Sequence, residues 1–351
     1  MKNVIKAQKA TGSIRNQGLD TMKLILSVFV VMIHAEVEIG ILKPFLRMAV
    51  PLFFITSAYF FFQKIDSCVT SQARRDVLLR FLKRNLILYG FWFVVLLPIT
   101  LYVRDWFSGS LAQGIAGFLQ SFLFNSTFRA SWYIMALNIG MCIALLLSRW
   151  LTPGAQVLVA LPVYLLCCLF TNYYGIAARF DGVMTAYNGY IAVFRSLSNS
   201  FPVSLLWLSL GRWFEQNHLP WAKRWLYAAA AVCAVALVGE YLLVSHYSLQ
   251  MGDDAYLMLL PLCAVIFCLV KDSGSRWQPV RRSGHISTIV YASHASVITV
   301  VGAVARKVMG AGFAGVNWVI LGASLVICAA ICAIVFRLEK HRRFRWLRWA
   351  Y

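Results

Sequence analysis

Residues 318–336 run WVILGASLVICAAICAIVF without one charged side chain. An α-helix needs roughly 20 apolar residues to cross a bilayer core, and this run comes close to that alone. Nine other stretches are comparable. The apolar patterning predicts helices near 20–41, 45–63, 85–103, 131–150, 155–171, 200–215, 225–245, 254–271, 285–304 and 318–337. In lipid, each backbone N–H and C=O must be satisfied within the segment itself, so runs of this kind fold as helices. Composition agrees. The chain is 60% hydrophobic and 13% charged, against about 25% charged residues in a soluble domain. The expected fold is an all-α integral membrane protein with about ten transmembrane helices.

The net charge of +20 raises the question of nucleic acid, but the charge has another owner. With the N-terminus inside, 25 of the 33 Lys and Arg fall on inside segments. They are Lys2, Lys6, Lys9, Arg15, Lys23, Lys64, Arg74, Arg75, Arg80, Lys83, Arg84, Arg149, Arg212, Lys223, Arg224, Lys271, Arg276, Arg281, Arg282, Arg337, Lys340, Arg342, Arg343, Arg345 and Arg348. Lys43, Arg47, Arg104, Arg129, Arg179, Arg195, Arg306 and Lys307 are left outside. That asymmetry follows the positive-inside rule and predicts both termini in the cytoplasm, with no nucleic-acid partner. Three parts result: a cytoplasmic N-terminal segment 1–19, a transmembrane domain 20–337 and a basic cytoplasmic tail 338–351. The tail reads as an anchor for lipid headgroups. No small-residue cleavage site follows the first apolar stretch, so that span is expected to be an uncleaved anchor. The nine cysteines show no CxxC or Cys/His zinc spacing, which predicts packing residues and no metal site. The stretches 104–130 and 172–199 are expected to form short interfacial or re-entrant helices over a cavity.

Ionisable groups inside lipid are costly and mark function by default. The first span carries Asp20, Lys23, His34, Glu36 and Glu38. Lys23 and His34 are eleven residues apart, which returns to nearly the same helix face about 16 Å along the axis. Glu38, four residues after His34, is placed to orient the imidazole or hold its proton. Imidazole titrates near neutrality and suits a general base. On residues alone, His34 fits either that role or an interhelical hydrogen bond, and Lys23 fits either a phosphate contact or a snorkelling cation.

Five further features stand out. In RRDVLLRFLKRNLILYG, Arg80 and Lys83 are three apart beside Arg84 and can clamp one polyanion; the bland reading is positive-inside charge. In AVPLFFITSAYFFF, Pro51 is expected to bend or unwind the second span, with Ser57 and Tyr59 offering hydroxyls to a cavity. In GHISTIVYASHASV, Tyr291 and His294 share a helix face, and His294 is a second deep imidazole. Ser131, Trp132 and Tyr133 open the fourth span. Glu240 is a lone carboxylate in the seventh span, with no partner assignable from sequence.

Taken in order, these pieces resemble the acyltransferase 3 family of integral-membrane acyltransferases. The resemblance rests on LDTMK…VVMIH, AVPLFFITSAYFF, RFLKR, SWYIMAL and ISTIVYASH, which cover residues 15 to about 300. Lys23, Ala58 and Lys83 depart from the arginine, glycine and arginine usual in the family. Lysine keeps the charge but loses the planar fork.

The resemblance implies transfer of an acyl group, usually acetyl, from cytoplasmic acyl-CoA to a glycan across a bacterial inner membrane. It is similar to the small members that O-acetylate surface or lipid-linked polysaccharides, such as enterobacterial common antigen. His34 maps to the family's essential histidine, Lys23 to its basic partner, and Arg80 and Lys83 to its basic pair. In chemical terms, Lys23, Arg80, Lys83 and Arg84 would hold the phosphates of acetyl-CoA, and His34 would act as base with Glu38 beside it. Ser57, Tyr59, Trp132, Tyr291 and His294 are the candidates for positioning the acceptor. The expected partners are acyl-CoA, a glycan or lipid-linked sugar, and membrane lipids. A covalent acyl-histidine route stays open. So do two other classes of function, a proton-coupled transporter or flippase and a non-catalytic sensing module.

Overall fold

A computed structural model describes residues 16–103, 109–273, 282–310 and 312–351. The expected N-terminal segment up to Arg15, and the inside or outside assignments of Lys2, Lys6, Lys9, Arg15, Arg104, Arg276 and Arg281, lie outside the described residues.

The longer helices are α1 Gln17–His34, α2 Ala49–Asp66, α3 Ser71–Val95, α4 Leu97–Val103, α5 Leu111–Phe124, α6 Trp132–Leu147 and α7 Pro153–Leu169. They continue with α8 Asp181–Phe194, α9 Phe201–Gln216, α10 Lys223–His246, α11 Leu259–Lys271, α12 Ser283–Met309 and α13 Val316–Leu338. No strand occurs among the described residues. A helix lies under every one of the ten expected segments, and α5 and α8 fill the two stretches expected to hold short helices.

Five helical segments are long and apolar enough to cross a membrane: Gln17–His34, Gly40–Asp66, Lys223–His246, Ser283–Met309 and Val316–Leu338. The α3–α4 pair makes a sixth if taken as one bent span. The other four expected spans, α6, α7, α9 and α11, are helices of 13 to 17 residues, which cover only roughly 20–26 Å at 1.5 Å per residue.

Three local expectations are corrected. Helix α1 ends at His34, well before position 41. The Ala35 N–H donates to the Val31 carbonyl (2.9 Å) and the Glu36 N–H to that of Ile33 (3.2 Å). Glu36 then turns left-handed at φ +54°, which stops the helix. Glu38 therefore leaves α1 on a loop and is not one turn above His34. Pro51 does not bend α2 itself, but the expected second span, 45–63, is interrupted at 47–48, between helices Lys43–Leu46 and Ala49–Asp66, just ahead of Pro51. Pro51 is the third residue of α2, where its missing N–H has no intrahelical partner to lose. The third span starts earlier than expected, at Ser71, with the Thr70 hydroxyl capping the Ala73 N–H (3.1 Å), and bends by 69° at Leu96. Pro98, just past the break, cannot donate to the Val94 carbonyl and collides with it in a straight helix.

Helix α9 is the hub. Leu206, Trp207, Leu208 and Ser209 are buried, and it packs on α2, α6 and α7. A Cβ added at Gly211 would stand 2.6 Å from the Ala58 Cβ and closer still to the Ile55 carbonyl. Small residues let the two backbones touch there, so Ala58 still meets a glycine across the helix pair. Helix α1 packs mainly on α12, which also carries α13. Asn16 caps the Leu19 N–H (3.1 Å) and donates to the Lys271 carbonyl (3.1 Å), fixing the start of α1 to the end of α11.

The expected headgroup tail packs back on the bundle as a 3-10 helix, Arg342–Ala350, with Leu347 and Ala350 buried and its arginines exposed. Trp92 Nε1 donates to the Ala350 carbonyl (3.0 Å). Tyr351 stacks on His285 with centroids 4.2 Å apart.

Candidate active site

His34 is the last residue of α1 and faces His294 of α12, with ring centroids 5.0 Å apart and planes tilted by 46°. His294 is fully buried. Its Nδ1 lies 2.5 Å from the Tyr291 carbonyl and 3.2 Å from that of Val290. Both are acceptors, so Nδ1 carries the proton and Nε2 carries the lone pair. Nε2 has no hydrogen-bond partner among the described residues. A lone acceptor buried beside a second imidazole costs free energy unless something donates to it.

A cavity of about 430 Å³ opens on the other side of His34. Trp132, Tyr133, Trp207 and Tyr291 supply aromatic wall, and Glu36, Glu38, Asn199, Asp253 and Asp254 supply polar rim. The cations on it are neutralised. Arg47 pairs with Asp253 and with Asp254 (2.8 Å), and Lys43 with Asp253 (3.2 Å). Asn199 donates to Asp254 (3.3 Å). Such a wall, aromatic faces beside amide and carboxylate oxygens, suits a hydroxyl-rich ligand. Ala130 enters it at φ +65°, an uncommon conformation for alanine, and its carbonyl accepts the Tyr291 hydroxyl (2.5 Å).

The residues singled out from sequence fall into three groups. His34, Glu38, Trp132 and Tyr291 line the cavity. No hydrogen bond joins Glu38 to His34 among the described residues. His294 stands behind His34, and Ser57 is 3.4 Å from the Tyr133 hydroxyl. The rest lie away from the cavity, whose α1 lining runs from Val30 to His34. Lys23 pairs with Asp20 (3.9 Å) and sits over the Phe60 ring (5.1 Å). Tyr59 packs on Phe267, with the Lys271 ammonium 6.0 Å from its ring. Arg80 donates to the Asp76 carbonyl of its own helix (3.1 Å), while Lys83 and Arg84 are exposed.

Sequence reasoning missed Tyr133 as a cavity residue and the Arg47–Asp253–Asp254–Asn199 cluster. Adjacent aspartates are conspicuous in a chain with 13 acidic residues, but their partner lies 206 residues away. Glu240, unassigned from sequence, accepts from the Tyr173 hydroxyl (2.7 Å) and from the N–H groups of Leu257 (2.6 Å) and Met258 (2.8 Å). It caps the approach to α11, a structural task. All nine cysteines are free thiols, and Cys167, Cys168, Cys263, Cys268, Cys328 and Cys332 are buried packing residues.

Fold and site together define a multi-helix membrane protein with a cavity walled by His34, which His294 backs. A family model described as an acyltransferase domain matches residues 16–337, and the chain belongs to this acyltransferase 3 family. Among curated relatives, a serine/alanine racemase of Enterococcus gallinarum is 23% identical over 94% of this chain and 47% of its own length. An amino-acid racemase of Enterococcus faecalis is 25% identical over the same shares. A second amino-acid racemase of that organism is 24% identical over 72% of this chain and 35% of its own length. The chain thus spans about half or less of the curated relatives it matches. No solved structure matches it.

Proposed function

We propose that the chain moves an acyl group, acetyl above all, from acyl-CoA to a hydroxyl of a glycan or lipid-linked sugar across a bacterial inner membrane. The observation that carries this reading is His34, ending α1 in the wall of a 430 Å³ polar and aromatic cavity with His294 directly behind it. The acceptor sits in that cavity. Its hydroxyl oxygen attacks the thioester carbonyl carbon while His34 takes the hydroxyl proton. The tetrahedral oxyanion collapses, the C–S bond breaks, and the coenzyme A thiolate receives the proton from His34. The products are an ester and free coenzyme A. Trp132, Tyr133 and Tyr291 orient the acceptor. Lys23, Arg80, Lys83 and Arg84 hold the donor's phosphates at the other end of the bundle, and Tyr59, beside Lys271, belongs with that donor end.

His294 gives His34 its orientation. A ring-to-ring hydrogen bond of about 2.9 Å sets two imidazole centroids roughly 5 Å apart, the separation seen here. Rotation of the rings lets a His34 N–H donate to His294 Nε2, leaving the other His34 nitrogen open to the acceptor.

The test uses purified protein in vesicles, with coenzyme A release followed with and without an acceptor glycan. Acceptor-dependent release should fall about 10²- to 10⁴-fold in His34→Ala, with its melting temperature preserved. Wild-type turnover in that variant overturns the reading. Mass spectrometry of surface glycans with and without the protein identifies the donor acyl group and the acceptor together.

A further inference from the structure

His34 borders a second, smaller cavity of about 220 Å³ on its other flank, lined also by Glu36, Arg129, Thr299, Gly302 and Arg306. Its electrostatics are opposite to those of the larger one. In the larger cavity Arg47 and Lys43 are matched by Asp253 and Asp254. In the smaller one, Arg129 donates one N–H to the Thr299 hydroxyl (3.1 Å). The Arg306 guanidinium folds back over its own helix, 3.7 Å from where a Cβ on Gly302 would stand. Neither arginine enters an ion pair among the described residues. Glu36 is the one acidic side chain among the described residues of the lining. A positive excess is left against the wall that carries His34.

We infer that this cavity binds a phosphate group of the acceptor while the acceptor's sugar occupies the larger one, a reading that rests on the acyltransferase assignment. Two guanidinium forks offer more parallel donors than a carboxylate can accept, and they match the oxygens and multiple charge of phosphate. Ala303, also on the lining, is exposed between Val300 and Val304, themselves 48% and 59% exposed. The cavity therefore reaches the apolar outer face of α12. The phosphate can belong to the pyrophosphate headgroup of a polyprenyl-linked sugar or to a phosphodiester within a soluble glycan.

Binding is read first without catalysis, by the rise in melting temperature of the full chain in detergent with inorganic pyrophosphate, at saturating coenzyme A. Wild type and Lys307→Gln, a neighbouring charge off the lining, should respond alike. Arg129→Gln/Arg306→Gln should need at least tenfold more pyrophosphate. An equal response in that double variant overturns the inference. Loss of the response in a protein that also shows no acyl transfer keeps the anion site and removes the acyltransferase reading. In the active protein, kcat/KM for a phosphate-bearing acceptor relative to a neutral one should drop at least tenfold in the double variant. A polyprenyl pyrophosphate in micelles and a soluble glycosyl phosphodiester then separate the two sources by which one competes with pyrophosphate; competition by neither overturns the inference.

Discussion

His294→Asn tests whether the second imidazole serves chemistry or packing. Asparagine keeps an amide N–H near the position of Nδ1, so the bonds to the carbonyls of Val290 and Tyr291 can persist. It removes Nε2, the buried acceptor next to His34. That acceptor matters most when His34 holds the acceptor's proton and is cationic. A hydrogen bond to a charged group contributes about 1.5–3 kcal/mol, and each 1.36 kcal/mol is tenfold in rate. The expected loss in kcat is about 10- to 100-fold, with KM for acyl-CoA held, because the residues proposed to hold the donor phosphates lie at the other end of the bundle from His294. His294→Gln, whose amide oxygen reaches the position of Nε2, should recover most of the rate. Stopped-flow detection of the released thiol in vesicles gives kcat, and differential scanning fluorimetry gives the fold. If His294→Asn turns over at more than half the wild-type rate, the orienting role is wrong. If Asn and Gln are equally slow and equally destabilised, His294 is a packing residue.

Three more outcomes follow from the packing and the tail. Gly211→Ala should lower stability by about 1–3 kcal/mol, seen as a lower melting temperature, because its methyl would press on Ala58 and on the Ile55 carbonyl. Glu240→Ala should cost about 3 kcal/mol, since it leaves the Leu257 and Met258 N–H groups without their acceptor; faster hydrogen exchange at the start of α11 is the readout. Glu339 is affected first by burial, which resists its ionisation, but hydrogen bonds from Tyr351 and Arg282 outweigh this and hold its carboxyl below the ordinary value. A depressed carboxyl stabilises the fold fully above its unfolded pKa, about 4.3, and that contribution is lost as pH falls through the lower folded value. Tail docking, followed by limited proteolysis at 339–351, should therefore hold from pH 7 to 5 and fail only in stronger acid, whereas Glu339→Gln should loosen the tail at neutral pH.

The helices were legible because lipid-length apolar runs have one backbone solution, and positions 223–246 and 316–338 match their sequence segments almost to the residue. Their ends were less legible. The stop at His34 depends on a left-handed Glu36, a conformation that glutamate gives no hint of adopting. The start of α3 at Ser71 is hidden in a polar, charged stretch that hydropathy passes over. Within the site, His34 and His294 were visible as rare polar groups in apolar helices. Their 5.0 Å approach was not, since it joins α1 to α12 across 260 residues of chain. Glu240 shows the converse. Its placement in an apolar helix reads as function, yet all its oxygens serve backbone and a tyrosine.

The close crossing at Gly211 bears on how a thioester could ever reach His34. The hollow beside the histidine closes below Val30, and Lys23 lies about two turns further along the same helix. Backbones in direct touch, as α2 and α9 are, slide poorly past one another, so that pair behaves as a stationary post. In the proposed reaction, a passage for the pantetheine arm would then have to open on the α1 side rather than between α2 and α9.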